Sequence, residues 1–343
     1  MDGLRVLVAD NSSVYRKMFS RAITEVVKYS FVTCVADGTA ALELVRHNDF
    51  DIIVIDAEIQ GLQIMELLAE IKREMMQVFI LVTARPLKAN EALCIETLSA
   101  GASHYMIKPL YDSYEENLGA IETEILAIID VLHKDAKSRK DTAASTKKKT
   151  ERTGFNPEIV LVAASTGGPS ALEAVIPKLK SNFPLPVIIV QHMPQHFTES
   201  LARNLDIKSG LKVKVAESGE PVSAGTVYIA PGGVHMMLHK KGKVYLDDSP
   251  PINGVRPAAD VLFESIAENF SGDGVLCVIL TGMGYDGKAG TALLKEAKKC
   301  YCLAQSEKTC VVYGMPRAVI DDGLADKVLD LEKIAREIER LCQ

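Results

Sequence analysis

The sequence predicts an α/β protein built from two doubly wound parallel-sheet domains, and three observations predict it. Short apolar runs alternate with stretches of helical period along most of the 343 residues. That alternation marks strands buried on both faces by crossover helices. The apolar runs stop on polar residues, among them Asp10, Asp56, Thr83, Lys108, Ser165 and His192. Ligands of open α/β sheets bind along that carboxyl edge. Finally, the alternation breaks between residues 133 and 156, where eight Lys or Arg stand against three acids with no apolar period. Such a segment builds no core and reads as a flexible basic linker. The expected domains are therefore residues 1–132 and 157–343, and the chain is long enough for two cores.

In the first domain, strands are predicted over 4–9, 31–36, 51–55, 79–82 and 104–107. Helices are predicted over 14–27, 40–47, 64–72, 91–100 and 114–132, the first capped by Ser12 or Ser13. Asp10, Asn11, Asp56, Thr83 and Lys108 all fall at strand ends. Clustered carboxylates need a cation, or their pKa values rise. A hard divalent ion accepts such oxygen ligands and leaves positions for phosphoryl oxygens. Lys108 has the charge to neutralise a transferred phosphoryl group, and Thr83 a hydroxyl to hydrogen-bond it.

Val8-Ala9-Asp10-Asn11-Ser12, Asp56, Thr83, Tyr105 and Ile107-Lys108-Pro109 resemble a response-regulator receiver domain. The resemblance implies a flavodoxin-like fold, phosphorylation of Asp56 by a histidine kinase, and Mg2+ at the acidic pair. Thr83 and Tyr105 match the residues that report phosphorylation. The family usually carries two adjacent acids where this chain has Asp10-Asn11. An amide oxygen ligates more weakly than a carboxylate, so weaker Mg2+ binding is expected, with Glu58 compensating in part. Residues 60–64 also depart from the family pattern.

In the second domain, strands are predicted over 159–163, 187–190, 211–215, 226–229, 275–280 and 301–304. A hairpin, 234–238 with 243–246, turns on Lys241-Gly242. Helices are predicted over 170–179, 197–205, 257–269, 288–298 and 331–341. Pro169 suits a first helical turn, where its missing N–H costs nothing. Ser165 then sits where a strand turns into a helix, beside free backbone N–H groups that can meet an anion.

Ser165, His192 and Asp286 recur at ends of parallel strands, which lie on one sheet edge. A serine hydroxyl needs a base to become a nucleophile. His192 has the right proton affinity for that work, and Asp286 would fix its tautomer and stabilise the imidazolium. Each has a blander role open to it. Ser165 is placed to cap a helix, His192 to be a buried hydrogen-bonding residue, and Asp286 to cap helix 288–298. The order Ser, His, Asp differs from that of α/β-hydrolases, and the G-x-S-x-G elbow is absent. Gly282-Met283-Gly284-Tyr285-Asp286-Gly287 also fits the dinucleotide fingerprint, with Glu307 at a ribose-ligand distance. A remote alternative is thus an oxidoreductase, though its fingerprint falls late in the domain and leaves Ser165 and His192 unused. The pairs His192/His196 and His235/His239 lack the glutamate of a zinc motif.

Ala164-Ser165-Thr166-Gly167-Gly168-Pro169, Gln191-His192-Met193-Pro194, Tyr228-Ile229-Ala230-Pro231-Gly232 and Thr281 to Gly287 resemble the chemotaxis protein-glutamate methylesterase family. Ala304-Gln305 and Val312 to Arg317 match as well. The resemblance implies hydrolysis of γ-glutamyl methyl esters on the cytoplasmic helices of chemoreceptors, with release of methanol. Many relatives also deamidate receptor glutamines. It assigns Ser165 as nucleophile, His192 as base and Asp286 as orienting acid. The Met283 N–H becomes an oxyanion donor, and Thr166 helps hold the histidine. No cofactor is needed for the esterase chemistry. In relatives the unphosphorylated receiver covers the catalytic cleft. A catalytically weak receptor-binding adaptor is the non-enzyme alternative.

Composition sets outer bounds. A formal charge of −6 and a pI near 5.7 give no bulk attraction to nucleic acid or anionic lipid. No apolar run has the length of a membrane span, and residues 1–5 lack a signal-peptide pattern. The seven cysteines form no CxxC pair, which fits satisfied thiols in a reducing cell. A cytoplasmic monomer working at receptor arrays is the expectation.

Overall fold

The computed structural model describes residues 3–75, 78–86, 89–138, 155–239 and 242–342. The chain divides into two compact units, Met1–Ala136 and Lys137–Gln343.

The first unit holds a five-stranded parallel sheet. Its strands are β1 (Arg5–Ala9), β2 (Phe31–Val35), β3 (Ile52–Asp56), β4 (Phe79–Ala84) and β5 (His104–Ile107), in the order β2-β1-β3-β4-β5. Every residue of β3 and β4 is buried, as central strands covered by helices on both faces should be. Edge strand β2 is largely exposed. The helices are α1 (Ser13–Val26), α2 (Gly38–His47), α3 (Ile64–Glu74), α4 (Ala89–Ser99) and α5 (Tyr114–Ser138). Ser12 is the N-cap of α1, but its side chain makes no capping bond. Its own N–H is instead drawn to Asp10 Oδ1 at 2.8 Å. Helix α5 runs six residues beyond the predicted end at 132. Lys and Ala in that stretch are good helix formers, so a charged run without a core-facing stripe still continues a helix. Residues 139–154 of the expected linker lie outside the described residues.

The second unit is a seven-stranded parallel sheet. It comprises β6 (Ile159–Ala164), β7 (Val187–Gln191), β8 (Lys212–Val215), β9 (Thr226–Ile229), β12 (Gly274–Ile279), β13 (Lys299–Gln305) and β14 (Lys327–Leu329). The antiparallel pair β10 (His235–His239) and β11 (Lys243–Asp247) is added to it. The sheet order is β14-β13-β12-β6-β7-β9-β8. From β6 the chain builds outward through β7, then returns to β12 on the other side of β6. The switch point therefore lies between β6 and β12, where the crevice of such a sheet opens. Strands β6, β7 and β12 are buried throughout. Each fully buried Val or Ile there contributes about 1.5–3 kcal/mol.

The helices of this unit are α6 (Gly168–Val175), α7 (Gln195–Lys208), α8 (Ala259–Asn269), α9 (Lys288–Ala297), α10 (Gly314–Asp321) and α11 (Leu331–Leu341). Helix α6 begins two residues before its predicted start and ends at Val175, followed by a single 3-10 turn, Ile176–Lys178. Helix α8 starts at Ala259 rather than at Pro257. Helix α10 and strand β14 have no counterpart in the sequence prediction. The hairpin pairs as expected, while its tip at 240–241 lies outside the described residues.

Candidate active site

Register brings Ser165, His192 and the turn carrying Asp286 to one edge. Ala164 pairs with Gln191 and Ala163 with Ile279, so Ser165 and His192 are each the next residue after a paired position. The His192 N–H reaches the Ala164 carbonyl at 3.1 Å, and the Ser165 N–H reaches the Thr281 carbonyl at 3.1 Å. The turn after β6 is tight. Gly167 takes φ 75°, and a Cβ there would lie 2.6 Å from Val311 Cβ. Helix α6 has Gly167 as N-cap and no side-chain cap. Capping therefore does not occupy the Ser165 hydroxyl, and among the described residues that hydroxyl makes no hydrogen bond.

His192 Nε2 donates to Asp286 Oδ2, 2.7 Å away. Asp286 is 3% exposed. Its Oδ2 also accepts from the Ala259 N–H at 2.5 Å, and its Oδ1 from the Asp260 N–H at 3.0 Å. These are open donors of the first turn of α8, which lacks a side-chain cap of its own. Asp286 does cap a helix, then, but α8 rather than the expected 288–298. Burial alone would raise its pKa. The bonds from His192, Asp260 and Ala259 outweigh burial and hold it below the ordinary carboxylate value.

The segment bearing Met283 lies against the serine. A Cβ on Gly282 would stand 2.9 Å from Ser165 Cβ and 2.3 Å from Met315 Sδ, so only glycine permits this approach. Gly282 N–H is used by the Val312 carbonyl, whereas among the described residues the Met283 N–H has no partner. Thr166 is buried, and its carbonyl accepts from Thr281 Oγ1 at 3.0 Å. Among the described residues it makes no hydrogen bond to His192.

Three supporting residues were given no role from the sequence. Gln191 Nε2 donates to the carbonyls of Ser165 and His192 at 2.9 and 3.1 Å, tying the two turns together. Thr281 Oγ1 accepts from the N–H groups of Val311 and Val312. Gln305 Oε1 accepts from the Thr281 N–H at 2.8 Å while its Nε2 donates to the Thr309 carbonyl at 2.7 Å. A polar residue inside an apolar strand end, as Gln191 and Gln305 are, was the available hint. Buried Cys277 and Cys300 lie with their sulfurs 3.6 Å apart, and burial pushes the Cys277 thiol up.

In the first unit, Asp56 pairs in register with Thr83, and Asp10 follows Ala9, the partner of Ile55. Lys108 Nζ lies 2.6 Å from Asp10 Oδ2 and 3.0 Å from Asp56 Oδ2, all three being buried. Burial raises the Asp10 pKa, and Lys108 only partly offsets it. The same ammonium sits 4.8 Å over the Tyr15 ring. The Glu58 N–H donates to Asp56 Oδ1 at 3.2 Å. The Glu58 carboxylate does not join this group. Arg85 takes it in a two-bond grip, 2.6 and 2.8 Å, which pairs the carboxylate expected to compensate for Asn11 away from Asp10 and Asp56. Asn11 instead directs Nδ2 at the Glu58 carbonyl, 3.5 Å away. Thr83 Oγ1 points to the Ile55 carbonyl at 3.4 Å. Tyr105 is half-buried, and burial raises its pKa.

Fold and geometry define the class: a doubly wound protein with a serine–histidine–aspartate edge, preceded by a sheet with a lysine-bridged acidic edge. Comparison with known proteins gives the family. The CheB methylesterase family matches residues 160–338, and the response regulator receiver domain matches residues 6–116. The protein-glutamate methylesterase/protein-glutamine glutaminase of Symbiobacterium thermophilum is 38% identical, covering 98% of this chain and 96% of the relative. A protein of the same name from Thermotoga maritima is 36% identical, covering 98% of each. The crystal structure of the Thermotoga maritima CheB methylesterase catalytic domain is similar at a TM-score of 0.52 and 47% identity, covering 54% of this chain and 99% of that chain. The chain belongs to the CheB methylesterase family and carries a receiver domain.

Proposed function

We propose that this chain is a receiver-regulated serine hydrolase. It removes methyl groups from glutamate methyl esters on chemoreceptors and deamidates receptor glutamines by the same chemistry. The observation that carries this reading is the His192–Asp286 pair, anchored on the first turn of α8 and set one strand from Ser165. Asp286 engages Nε2, which leaves Nδ1 as the nitrogen for the Ser165 proton. His192 takes that proton as Ser165 Oγ attacks the γ-carbonyl. The Met283 N–H faces the oxyanion, which it stabilises more than the starting carbonyl. Methanol, or ammonia from an amide, leaves with the proton from His192. Water then repeats the cycle on the acyl-enzyme. Thr166 supports the turn through its backbone.

Asp56 is the proposed phosphoryl acceptor, with a histidine kinase as donor. Asp10, Asp56 and the Asn11 amide oxygen would hold Mg2+, which when bound supplies positive charge for phosphoryl oxygens. Two buried carboxylates sharing one amine fit such a cation, and Glu58 is outside the set. Lys108 is placed to follow the transferred charge, and Thr83 and Tyr105 to respond to it. No described helix is long and apolar enough to cross a membrane. The proposed place of work is the cytoplasm, where the enzyme meets receptor helices at arrays. The test is methanol release from methylated receptor by the full chain, with and without a small phosphodonor and Mg2+. Turnover that survives Ser165→Ala refutes the serine chemistry. Equal rates with and without phosphodonor refute the switch.

A further inference from the structure

Helices α8 and α9 cross closely at their N-termini. A Cβ on Gly290 would lie 2.5 Å from Phe263 Cβ and 3.1 Å from Asp260 Cα. Neither helix has a side-chain cap from its own N-cap residue. Each is capped by a carboxylate belonging to the other's neighbourhood. Asp286, two residues before α9, accepts from the Ala259 and Asp260 N–H groups that open α8. Asp260, in the first turn of α8, accepts at Oδ1 from the Gly290 N–H of α9 at 2.7 Å. The orienting acid and a second, 9% exposed carboxylate are thus locked by exchanged contacts.

The charges around Asp260 are few. Asp286 adjoins it and passes on to His192. Asn253 Nδ2 reaches Asp260 Oδ2 at 3.3 Å and is itself approached by the Tyr285 hydroxyl. From β10, His235 Nδ1 accepts the Ala258 N–H at 3.2 Å. On α9, Lys288 is turned to Asp322 at 3.1 Å. Arg256 is spent on the carbonyls of Asp248 and Ser249. Among the described residues no lysine or arginine forms an ion pair with Asp260.

We propose that Asp260 is a positioning residue of the hydrolytic site: through the exchanged helix caps it fixes Asp286, and its ionised form adds a second negative charge behind the His192 imidazolium. This deepens the hydrolase reading above and rests on it. Burial first, then the nearby Asp286 charge, pushes the Asp260 carboxyl up to about 6, so it changes charge within the working range of a histidine base. Below about pH 6 wild type carries Asp260 neutral, which an asparagine imitates while keeping an acceptor for the Gly290 N–H.

The experiment is kcat/KM for methyl-ester hydrolysis by the full chain between about pH 5 and 9, for wild type, Asp260→Asn and Ser165→Ala. The Asp260→Asn profile is expected to meet the wild-type profile below about pH 6. On the alkaline plateau it should fall about five- to tenfold below, with KM changed less than about twofold. Asp260→Ser, a second neutral replacement with an acceptor oxygen, should repeat the pattern and stands in if the asparagine variant does not fold. A loss by one constant factor at every pH marks a merely structural role and overturns the inference, as does a plateau equal to wild type. A wild-type chain with no turnover, or an active Ser165→Ala, instead overturns the hydrolase reading itself.

Discussion

Both parallel sheets gather a buried aspartate at their carboxyl edge and give it a nitrogen partner, but the partners differ. At the receiver edge the Lys108 ammonium bridges Asp10 and Asp56. At the hydrolase edge Asp286 holds the His192 ring nitrogen. On the proposed reading, the first arrangement holds a counter-charge for a phosphoryl group that arrives from outside, and the second keeps an acid ready for the positive charge that exists while a proton is in transit. Anchoring follows the same division. Asp286 is held by two backbone N–H groups of α8, whereas Asp10 and Asp56 each take one backbone N–H, from Ser12 and Glu58, and share the Lys108 ammonium.

Breaking the hydrolase pair should have the largest effect. Ser165→Ala should lower kcat by about 10⁶-fold, as loss of a nucleophile does in well-studied serine enzymes. Asp286→Asn should cost about 10⁴-fold in kcat, measured as methanol release. Because the asparagine oxygen still accepts from one α8 N–H, circular dichroism should show the fold retained. An Asp286→Asn variant within tenfold of wild type would remove the orienting role.

Breaking the receiver edge should appear as lost stability rather than lost chemistry. Lys108→Met strands two buried carboxylates and should destabilise that unit by about 3–5 kcal/mol. Hydrogen exchange on the full chain should show protection lost in β1, β3 and β5 and kept in β6, β7 and β12. Uniform loss across both sheets would contradict a local role. Arg85→Ala is a milder test. It frees Glu58, and if Arg85 is what keeps that carboxylate from the ion site, Mg2+ affinity measured by titration calorimetry should rise several-fold.

The pH dependence of stability sharpens the contrast within the hydrolase edge. Asp286 has its folded pKa below the ordinary 3.8. Its contribution is therefore full above that value and lost as pH falls through the folded one. Asp260, at about 6 against an ordinary 3.8, has the opposite sign. Its folded form binds the proton more tightly, so stability from this group declines as pH rises from about 4 through 6. Asp260→Asn should gain on wild type by roughly 3 °C or more in melting temperature between about pH 5 and 8. A constant offset across that range would contradict the assignment.

Much of this was legible in the sequence, because strand ends in a parallel sheet share an edge and the polar residues at those ends announce themselves against apolar runs. Ser165, His192 and Asp286 were found that way, as were Asp10, Asp56 and Lys108. What was not legible depends on crossings between distant segments. Asp260 looks like an ordinary first-turn acid of a helix, and only the close passage of α8 and α9 gives it a second helix to cap. The fate of Glu58 turned on Arg85, which follows a different strand. Strand β14 is only three residues long and pairs at an edge, too short to show a period. Helix α10 opens on Gly314-Met315-Pro316, which reads as a turn until Gly314 is seen against the carbonyls of Gly282 and Gly284.

The central claim is that Ser165 is a nucleophile activated by His192. A fluorophosphonate probe applied to the full chain tests it most directly, read by intact-protein mass and peptide mapping. One adduct on Ser165, absent in Ser165→Ala and in His192→Ala, is the predicted result. No adduct on the wild-type chain, or labelling that persists at the same rate in His192→Ala, would contradict it.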